Sequence, residues 1–275
     1  MNKEERKQFI MQDLENKMKW LEENTSHNVI YLALQGSQNY EMDVYTDDYT
    51  SDIDAKAIIL PSFEDILKGK EFYSHTYIMK DNSHIDVKDI RAYISLWKKA
   101  NPSFLEILFT EFYICKNTKF KQILNMADDI ARANIDKLLS CIKGMQKEKY
   151  AKLKHLSPAT EKNINKYGYE PKQLHHTTRL FWMARDLILW GGLFRYALVI
   201  HDRMIKKMCL SLKTNPPLLK YAEELASVCV EQTKDLIDTY KSNCDLKVNE
   251  EVYEKMEDIV YDIVRDECVR SLRGG

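Results

Sequence analysis

Residues 28–60 read NVIYLALQGSQNYEMDVYTDDYTSDIDAKAIIL, and this stretch decides the fold. Its first eight residues, NVIYLALQ, are of the types that suit a buried strand, and a glycine ends the run. Its last ten residues, SDIDAKAIIL, alternate polar and apolar, which puts Asp52 and Asp54 on one face of a second strand. The stretch therefore predicts two strands, with two neighbouring carboxylates on the second.

Periodic patterns continue on both sides of these strands. Before them, apolar residues recur every three or four positions from Ile10 to Leu21, which predicts an amphipathic helix that ends near Asn24. After them, residues 75–80 and 83–88 predict two further strands, because the Asp-Asn pair between them accepts tight turn geometry. Beyond this hairpin the pattern is helical to the end of the chain. We therefore predict an α+β fold, in which a mixed sheet with helices is followed by a helical domain.

Composition narrows the class of protein. The chain has 275 residues, of which 44% are hydrophobic and 30% charged, so it can bury a core and is not generally disordered. The longest apolar stretch, residues 187–200, contains Arg195 and is too short to span a bilayer. Six cysteines without metal-like spacing indicate reduced thiols, and the charged start shows no signal peptide. We expect a cytoplasmic protein without a membrane partner.

Charge is distributed unevenly along the chain. Residues 132–213 hold 17 Lys and Arg against 6 Asp and Glu, although the net charge of the whole chain is −1. A basic block of this kind either holds nucleic acid or polyphosphate, or forms solvated helix faces. The same two alternatives apply to the five lysines between Lys143 and Lys154.

Three features occur in an order that indicates phosphoryl or nucleotidyl transfer. Gly36-Ser37 follows the first strand, Asp52 and Asp54 share a face of the next, and Asp86 lies on a later strand. Two carboxylates separated by one strand residue project side by side and can bridge two divalent ions. A glycine turn permits close approach of backbone N–H groups to phosphates. Asp89 is the rival to Asp86, but its place before a helix favours a cap.

On these residues the sequence resembles the nucleotidyltransferases of the DNA polymerase β superfamily. The motifs are GSQNY at 36–40 and SDID at 51–54. More narrowly, NPSFLEILF at 101–109 and GYEPKQLHHTTRLF at 168–181 resemble motifs of a bacterial and phage subgroup that is associated with RNA repair. The resemblance covers roughly residues 28–195.

The resemblance implies a nucleotidyltransferase domain at 1–118 and a helical domain at 119–275, basic at 132–213. It implies a nucleoside triphosphate as substrate, two Mg²⁺ (or Mn²⁺) ions, and RNA as one potential partner. The implied site residues are Gly36, Ser37, Lys172, His176 and Arg179 for phosphates, and Asp52, Asp54 and Asp86 for metal binding and catalysis.

Several residues leave alternatives open. Glu41 stands where the family usually has glycine, and Asp43, Asp47 and Asp48 either frame the entrance or form a solvated loop. His176 is either phosphate-facing or a hydrogen-bonded helix histidine, and His175 can replace it. Glu106 is interpreted as structural.

The expected activity is transfer of a nucleoside monophosphate from an NTP to a hydroxyl of an RNA end, a small molecule or a protein. A catalytically inactive member of the fold that binds nucleotide or RNA is the alternative. A third interpretation is a phosphodiesterase that uses the same metals.

Overall fold

The computed structural model describes residues 3–45 and 51–273, and the chain forms two compact units. The first contains the described residues up to Asp43, residues 51–133, and the C-terminal segment from Asn249. The second contains Val44, Tyr45 and residues 134–248. Residues 119–133 and the segment from Asn249 belong to the same unit as the sheet. A domain boundary after residue 118 stays a prediction.

The strands of the first unit form one five-stranded sheet. They are β1 (Asn28–Gln35), β2 (Asp54–Leu60), β3 (Ser74–Ile78), β4 (His84–Asp89) and β5 (Tyr113–Cys115). Their order is β3-β4-β2-β1-β5, and β2 and β4 run parallel while the other neighbouring pairs are antiparallel. The sheet is therefore mixed, and β2 lies at its centre between β1 and β4.

The helices surround this sheet and build the second unit. They are α1 (Lys3–Asn24), α2 (Phe63–Leu67), α3 (Ile90–Lys98), α4 (Pro102–Leu105), α5 (Phe120–Asn125), α6 (Ala127–Arg132), α7 (Ile135–Ala151), α8 (Glu161–Tyr167), α9 (Pro171–Leu189), α10 (Phe194–Leu198), α11 (Arg203–Thr214), α12 (Leu219–Asn243) and α13 (Glu250–Leu272). None of those described has both the length and the apolar character that crossing a membrane requires.

Alternation along the strands gives the sheet two different faces. Ala55 and Ala57 of β2 and Ile85 and Val87 of β4 point to a core that the apolar stripe of α1 covers. The alternate residues of the same strands, including Lys56, point to the opposite face. That second face carries the polar groups of the candidate site.

The predicted α+β class is confirmed, and so are α1, β1, β2 and the β3–β4 hairpin. Asn82 in the hairpin turn has φ 66°, a left-handed conformation that asparagine tolerates. The prediction that the chain is helical throughout beyond Asp89 is wrong at β5, which pairs with β1 over three residues. So short an edge strand leaves no measurable alternation in the sequence.

The second unit packs around α9, which contacts α7, α10, α11 and α12. Tyr169, Leu174, Leu212 and Ala226 belong to one of its buried apolar clusters. The apolar stretch at 187–200 spans the end of α9 and all of α10, as the expected helix pair. Its burial is incomplete, however, because Trp190 in the connecting turn is 53% exposed.

Candidate active site

The Gly-Ser turn follows β1 directly. Gly36 has φ 93° and ψ −153°, a conformation in which a side chain would be strained, so glycine is required there. Ser37 then begins a short 3-10 helix that ends at Tyr40. The backbone N–H of Gly36 donates to Oε1 of Glu106 at 3.3 Å, which fastens the turn to the segment after α4.

Gln38 connects this turn to the Asp-x-Asp segment. Its buried side-chain amide donates from Nε2 to the carbonyl oxygens of Asp52, at 2.6 Å, and Ser51, at 3.4 Å. The guanidinium of Arg6 in α1 donates to the carbonyl oxygen of Gln38 at 2.9 Å. Gln38 therefore sets the position of the backbone that carries Asp52.

The two aspartates of the pair lie at the entrance to β2. Asp54 is the first residue of β2 and pairs in register with Gln35 at the end of β1. Its Oδ1 accepts a hydrogen bond from the backbone N–H of His84 at 2.8 Å, and the Nδ1 of that histidine is 3.3 Å away. Asp52 precedes the strand and its side chain is exposed. Both predicted carboxylates thus lie beside the Gly-Ser turn.

Asp86 lies farther along the same face, opposite Lys56 in the parallel register of β2 and β4. Two lysines neutralise it: Lys88 Nζ is 3.0 Å from Oδ1, and Lys56 Nζ is 3.8 Å from Oδ2. Lys56 also donates to the side chain of Gln35 and lies 5.0 Å from the ring centroid of Phe104. Burial lowers the pKa of Lys56, and the surrounding carboxylates oppose that effect.

The alternation along the strands places Asp54 and Asp86 on one face of the sheet, at diagonal positions of neighbouring strands. Since Asp86 is in register with Lys56, it is a diagonal neighbour of Asp54, with Cα atoms about 7–8 Å apart by sheet geometry. Throughout residues 3–45 and 51–273, no three His, Cys, Asp or Glu side chains are grouped so that they hold a metal ion. Asp52 and Asp54 offer the hard carboxylate oxygens that fit Mg²⁺, whereas Asp86 is already occupied by lysines.

The rival carboxylate, Asp89, has a structural role. Its side chain accepts from the backbone N–H of Arg91 at 2.8 Å and so caps α3. The guanidinium of Arg91 forms a close ion pair with it at 2.6 Å. The interpretation of Asp89 as a helix cap is therefore confirmed.

Lys172, His176 and Arg179 lie along α9 in the second unit. Lys172 is exposed, His176 is half-buried and Arg179 is buried. Burial lowers the pKa of His176 well below its usual range, and the charges of Arg179 and Lys172 act in the same direction. His176 is therefore neutral near pH 7, so a phosphate-facing role for it would depend on hydrogen bonding and not on charge.

His175 cannot replace His176 as a ligand-binding group. It is fully buried, and its Nδ1 donates to the carbonyl oxygen of Cys209 at 2.8 Å. Burial lowers its pKa to about 3, and the charge of Lys213 adds to that effect. His175 thus joins α9 to α11 as a neutral side chain.

Sequence reasoning missed the side chains that surround the carboxylates. Gln38, Lys56, His84, Lys88 and Glu106 all contact the predicted site residues. The alternation of side chains along a strand does predict the positions of Lys56 and Lys88, because each shares a face with the aspartate on its own strand. Gln38 and Glu106 lie within the family motifs at 36–40 and 101–109, but only the folded chain shows which groups they contact.

The structure also shows the conformation of Glu41 and the contacts of Asp43, two residues for which the sequence left alternatives open. Glu41 has φ 53°, the left-handed conformation that favours glycine. Asp43 pairs with Arg6, whose Nη2 is 2.8 Å from its Oδ1, so it stabilises the turn against α1 and does not belong to a solvated loop. Asp47 and Asp48 lie outside the described residues.

A Gly-Ser turn after the first strand, fastened to an Asp-x-Asp pair that opens the next strand of a mixed sheet, defines the class of polymerase β-type nucleotidyltransferases. The model of the RlaP family, the RNA repair pathway DNA polymerase beta family, matches residues 10–188. Because this match spans well over half of the chain, the protein belongs to that family. None of the curated proteins matches it.

Proposed function

We propose that the protein transfers a nucleoside monophosphate from an NTP to a hydroxyl group, and that the acceptor is an RNA end. The observation that best supports this proposal is the hydrogen bond from Gln38 to the Asp52 carbonyl, which holds the Gly-Ser turn against the Asp-x-Asp pair. Transfer of this kind needs positioned phosphates more than covalent help from the protein. The family description, with its reference to RNA repair, supports RNA as the acceptor over a small molecule or a protein.

Asp52 and Asp54 are the residues that would hold Mg²⁺ or Mn²⁺, and two ions are expected for this class. When bound, such ions neutralise the triphosphate oxygens and stabilise the charge on departing pyrophosphate. Gly36 keeps the turn free of a side chain, and the Ser37 hydroxyl is a donor for a phosphate oxygen. The acceptor oxygen forms a bond to the α-phosphorus. The bond between the α-phosphorus and the oxygen that bridges to the β-phosphate breaks, and pyrophosphate leaves.

Asp86 is proposed as the third carboxylate, which takes the proton of the acceptor hydroxyl. A carboxylate between two ammonium groups is a poor base, so this role requires that Lys56 or Lys88 shift towards the phosphates. In the second unit, Lys172 and Arg179 are proposed as cations for the nucleotide's phosphates or the acceptor's backbone. His176 supplies a neutral ring and therefore a hydrogen bond at most.

The ion pairs of Asp86 favour one alternative function. A protein that retained the fold and binds nucleotide or RNA without turnover would have no need to keep this carboxylate available. The two lysines then form a fixed positive site on the sheet, and Asp86 is their counter-ion. Loss of activity in Asp86→Asn without loss of folding would contradict this alternative.

Pyrophosphate release tests the proposal directly. The wild-type protein is incubated with each NTP, Mg²⁺ or Mn²⁺ and a panel of RNAs, beside Asp52→Ala/Asp54→Ala and the exposed control Asp245→Ala. We expect release and nucleotide-labelled RNA with the wild type and the control, and a decrease of roughly 10²-fold or more in the double variant.

Three other outcomes count against the proposal. Equal release of pyrophosphate by the wild type and the double variant would contradict metal-dependent transfer by Asp52 and Asp54. Binding of NTP or RNA without release supports the inactive binder. Hydrolysis of nucleotide without labelled acceptor supports a phosphodiesterase.

A further inference from the structure

A lysine-rich cavity lies within the second unit. It has a volume of about 330 Å³ and is lined by residues of α8, α9 and α11, together with Val44 and Glu170. Four of its lining residues are lysines: Lys162 and Lys166 one turn apart on α8, Lys172 on α9 and Lys213 on α11. Three separate helices therefore contribute lysines to the lining of one cavity.

The cavity contains little negative charge among its described lining residues. Glu170 is the single acid there, and its carboxylate is used internally. It accepts hydrogen bonds from Asn163 Nδ2 at 2.9 and 3.1 Å and caps α9 by accepting from the Lys172 backbone N–H at 3.1 Å. Lys162 and Lys172 form no ion pair with any residue in the described part of the chain.

Other lysines of this unit are arranged differently. Lys143 Nζ is 3.0 Å from Asp238, and Lys152 Nζ is 2.6 Å from Glu148. Lys154 pairs with Glu223. These ion pairs favour the interpretation of the 143–154 run as an internally neutralised surface, and Lys162 and Lys172 differ from them.

The positive potential of the cavity extends into the buried part of α9. The charges of Lys213, Arg179 and Lys172 each add to the lowering of the His175 pKa, after the larger effect of burial. Because two cavity lysines contribute to it, their charges act on a common region. An anionic ligand in the cavity would be attracted by the same field.

We propose that this cavity binds the phosphate groups of a nucleotide unit, either the triphosphate of a free nucleotide or the phosphodiester of an RNA strand. Lysines bind phosphate as point charges, and a volume of about 330 Å³ lies at the lower end of the range of small-ligand sites. Tyr167, which also lines the cavity, offers an aromatic ring beside Lys166. The inference rests on the proposed function only in taking a nucleotide as the ligand.

Fluorescence anisotropy in the presence of EDTA tests the site without catalysis. The probes are a labelled single-stranded RNA and a labelled ATP, each titrated with the wild type, Lys162→Gln/Lys172→Gln and the matched control Lys152→Gln/Lys154→Gln. We expect the cavity variant to weaken binding by about tenfold or more, and the control to change it less than about twofold. For RNA, the slope of log K against log salt should fall by about 0.7 for each phosphate that the variant no longer neutralises.

The two probes separate the sources of phosphate. Weaker binding of ATP alone assigns the cavity to the free nucleotide, and weaker binding of RNA alone assigns it to the backbone. Equal binding of both probes by the wild type and the cavity variant overturns the inference, as does a larger effect of the control. Because the assay measures binding without metal ions or turnover, the cavity and the proposed transfer activity can fail independently.

Discussion

At the scale of single residues, Glu41 is the clearest case of a local conflict. It has the left-handed conformation at φ 53° where the family usually has glycine, and such a conformation costs a non-glycine residue about 1 kcal/mol or more. We expect Glu41→Gly to raise the free energy of unfolding by about 0.5–1 kcal/mol, because it removes this strain. Urea denaturation followed by circular dichroism measures the change.

Glu41→Ala is the control for this prediction. It removes the carboxylate but keeps a Cβ atom. It should therefore retain the backbone strain and show no increase in the free energy of unfolding. If Glu41→Gly is no more stable than Glu41→Ala, backbone strain at this position is not the reason for the family's glycine.

The ion pairs of Asp86 with Lys56 and Lys88 bear on its proposed role as a third metal-binding carboxylate. Strand parity correctly predicts that it shares a face with Asp54, but it also brings Lys56 and Lys88 to that face. Lys56 is buried, with its pKa lowered, so Asp86 compensates a charge that would otherwise be costly. Metal binding at this face would therefore involve redistribution of charge among all three side chains.

At the scale of elements, a histidine in α9 makes the free energy of unfolding depend on pH. The folded pKa of His175 is about 3, against about 6.5 in an unfolded chain, because burial disfavours the charged ring. A lowered folded pKa means that the stability is fully present above about pH 6.5 and declines as the pH falls towards 3. We expect His175 to contribute a decrease of about 2 kcal/mol in the free energy of unfolding between pH 7 and pH 5.

His175→Asn isolates this contribution. Its side-chain amide can still donate to the Cys209 carbonyl, but it does not titrate. Urea denaturation at pH 7 and pH 5 should show a smaller decrease for the variant than for the wild type. An unchanged decrease would mean that His176, or groups elsewhere, cause the acid sensitivity.

Elements were predictable where the chain repeats a pattern over several residues. The stripe from Ile10 to Leu21 and the alternation at 51–60 each fix one face of an element, and both elements formed as expected. β5 was not predictable, because three residues form an edge strand only by pairing with β1. The exposure of Trp190 was not predictable either, because it depends on the position of the turn after α9 relative to the packed core.

At the scale of the whole molecule, the sequence predicted the order of the site residues but not their surroundings. The Gly-Ser turn and the Asp-x-Asp pair belong to neighbouring elements, so their proximity follows from local pattern. The contacts of Gln38 with Asp52, and of Glu106 with Gly36, join segments 14 and 70 residues apart. Contacts of that separation arise from tertiary packing and leave no periodic signal.

Residues 134–248 form the long segment of the second unit, and the chain returns from it to the first unit at Asn249. On its return, α13 packs against α3, α5 and α6 and buries Tyr253, Met256, Val260 and Ile263. Lys98 pairs with Glu257 at the same contact. The sheet unit is therefore completed by the last helix of the chain, and its stability should depend on that helix.

Met256→Ala tests this dependence. Met256 is fully buried, so truncation should cost about 2–5 kcal/mol through reduced burial and a residual cavity. Hydrogen exchange with mass spectrometry should show faster exchange of amides in β1 and β2, with little change in α9 and α12, because α13 belongs to the first unit. The exposed substitution Glu254→Ala should leave both sets unchanged. Faster exchange in α9 alone would instead place the energetic contribution of α13 in the second unit.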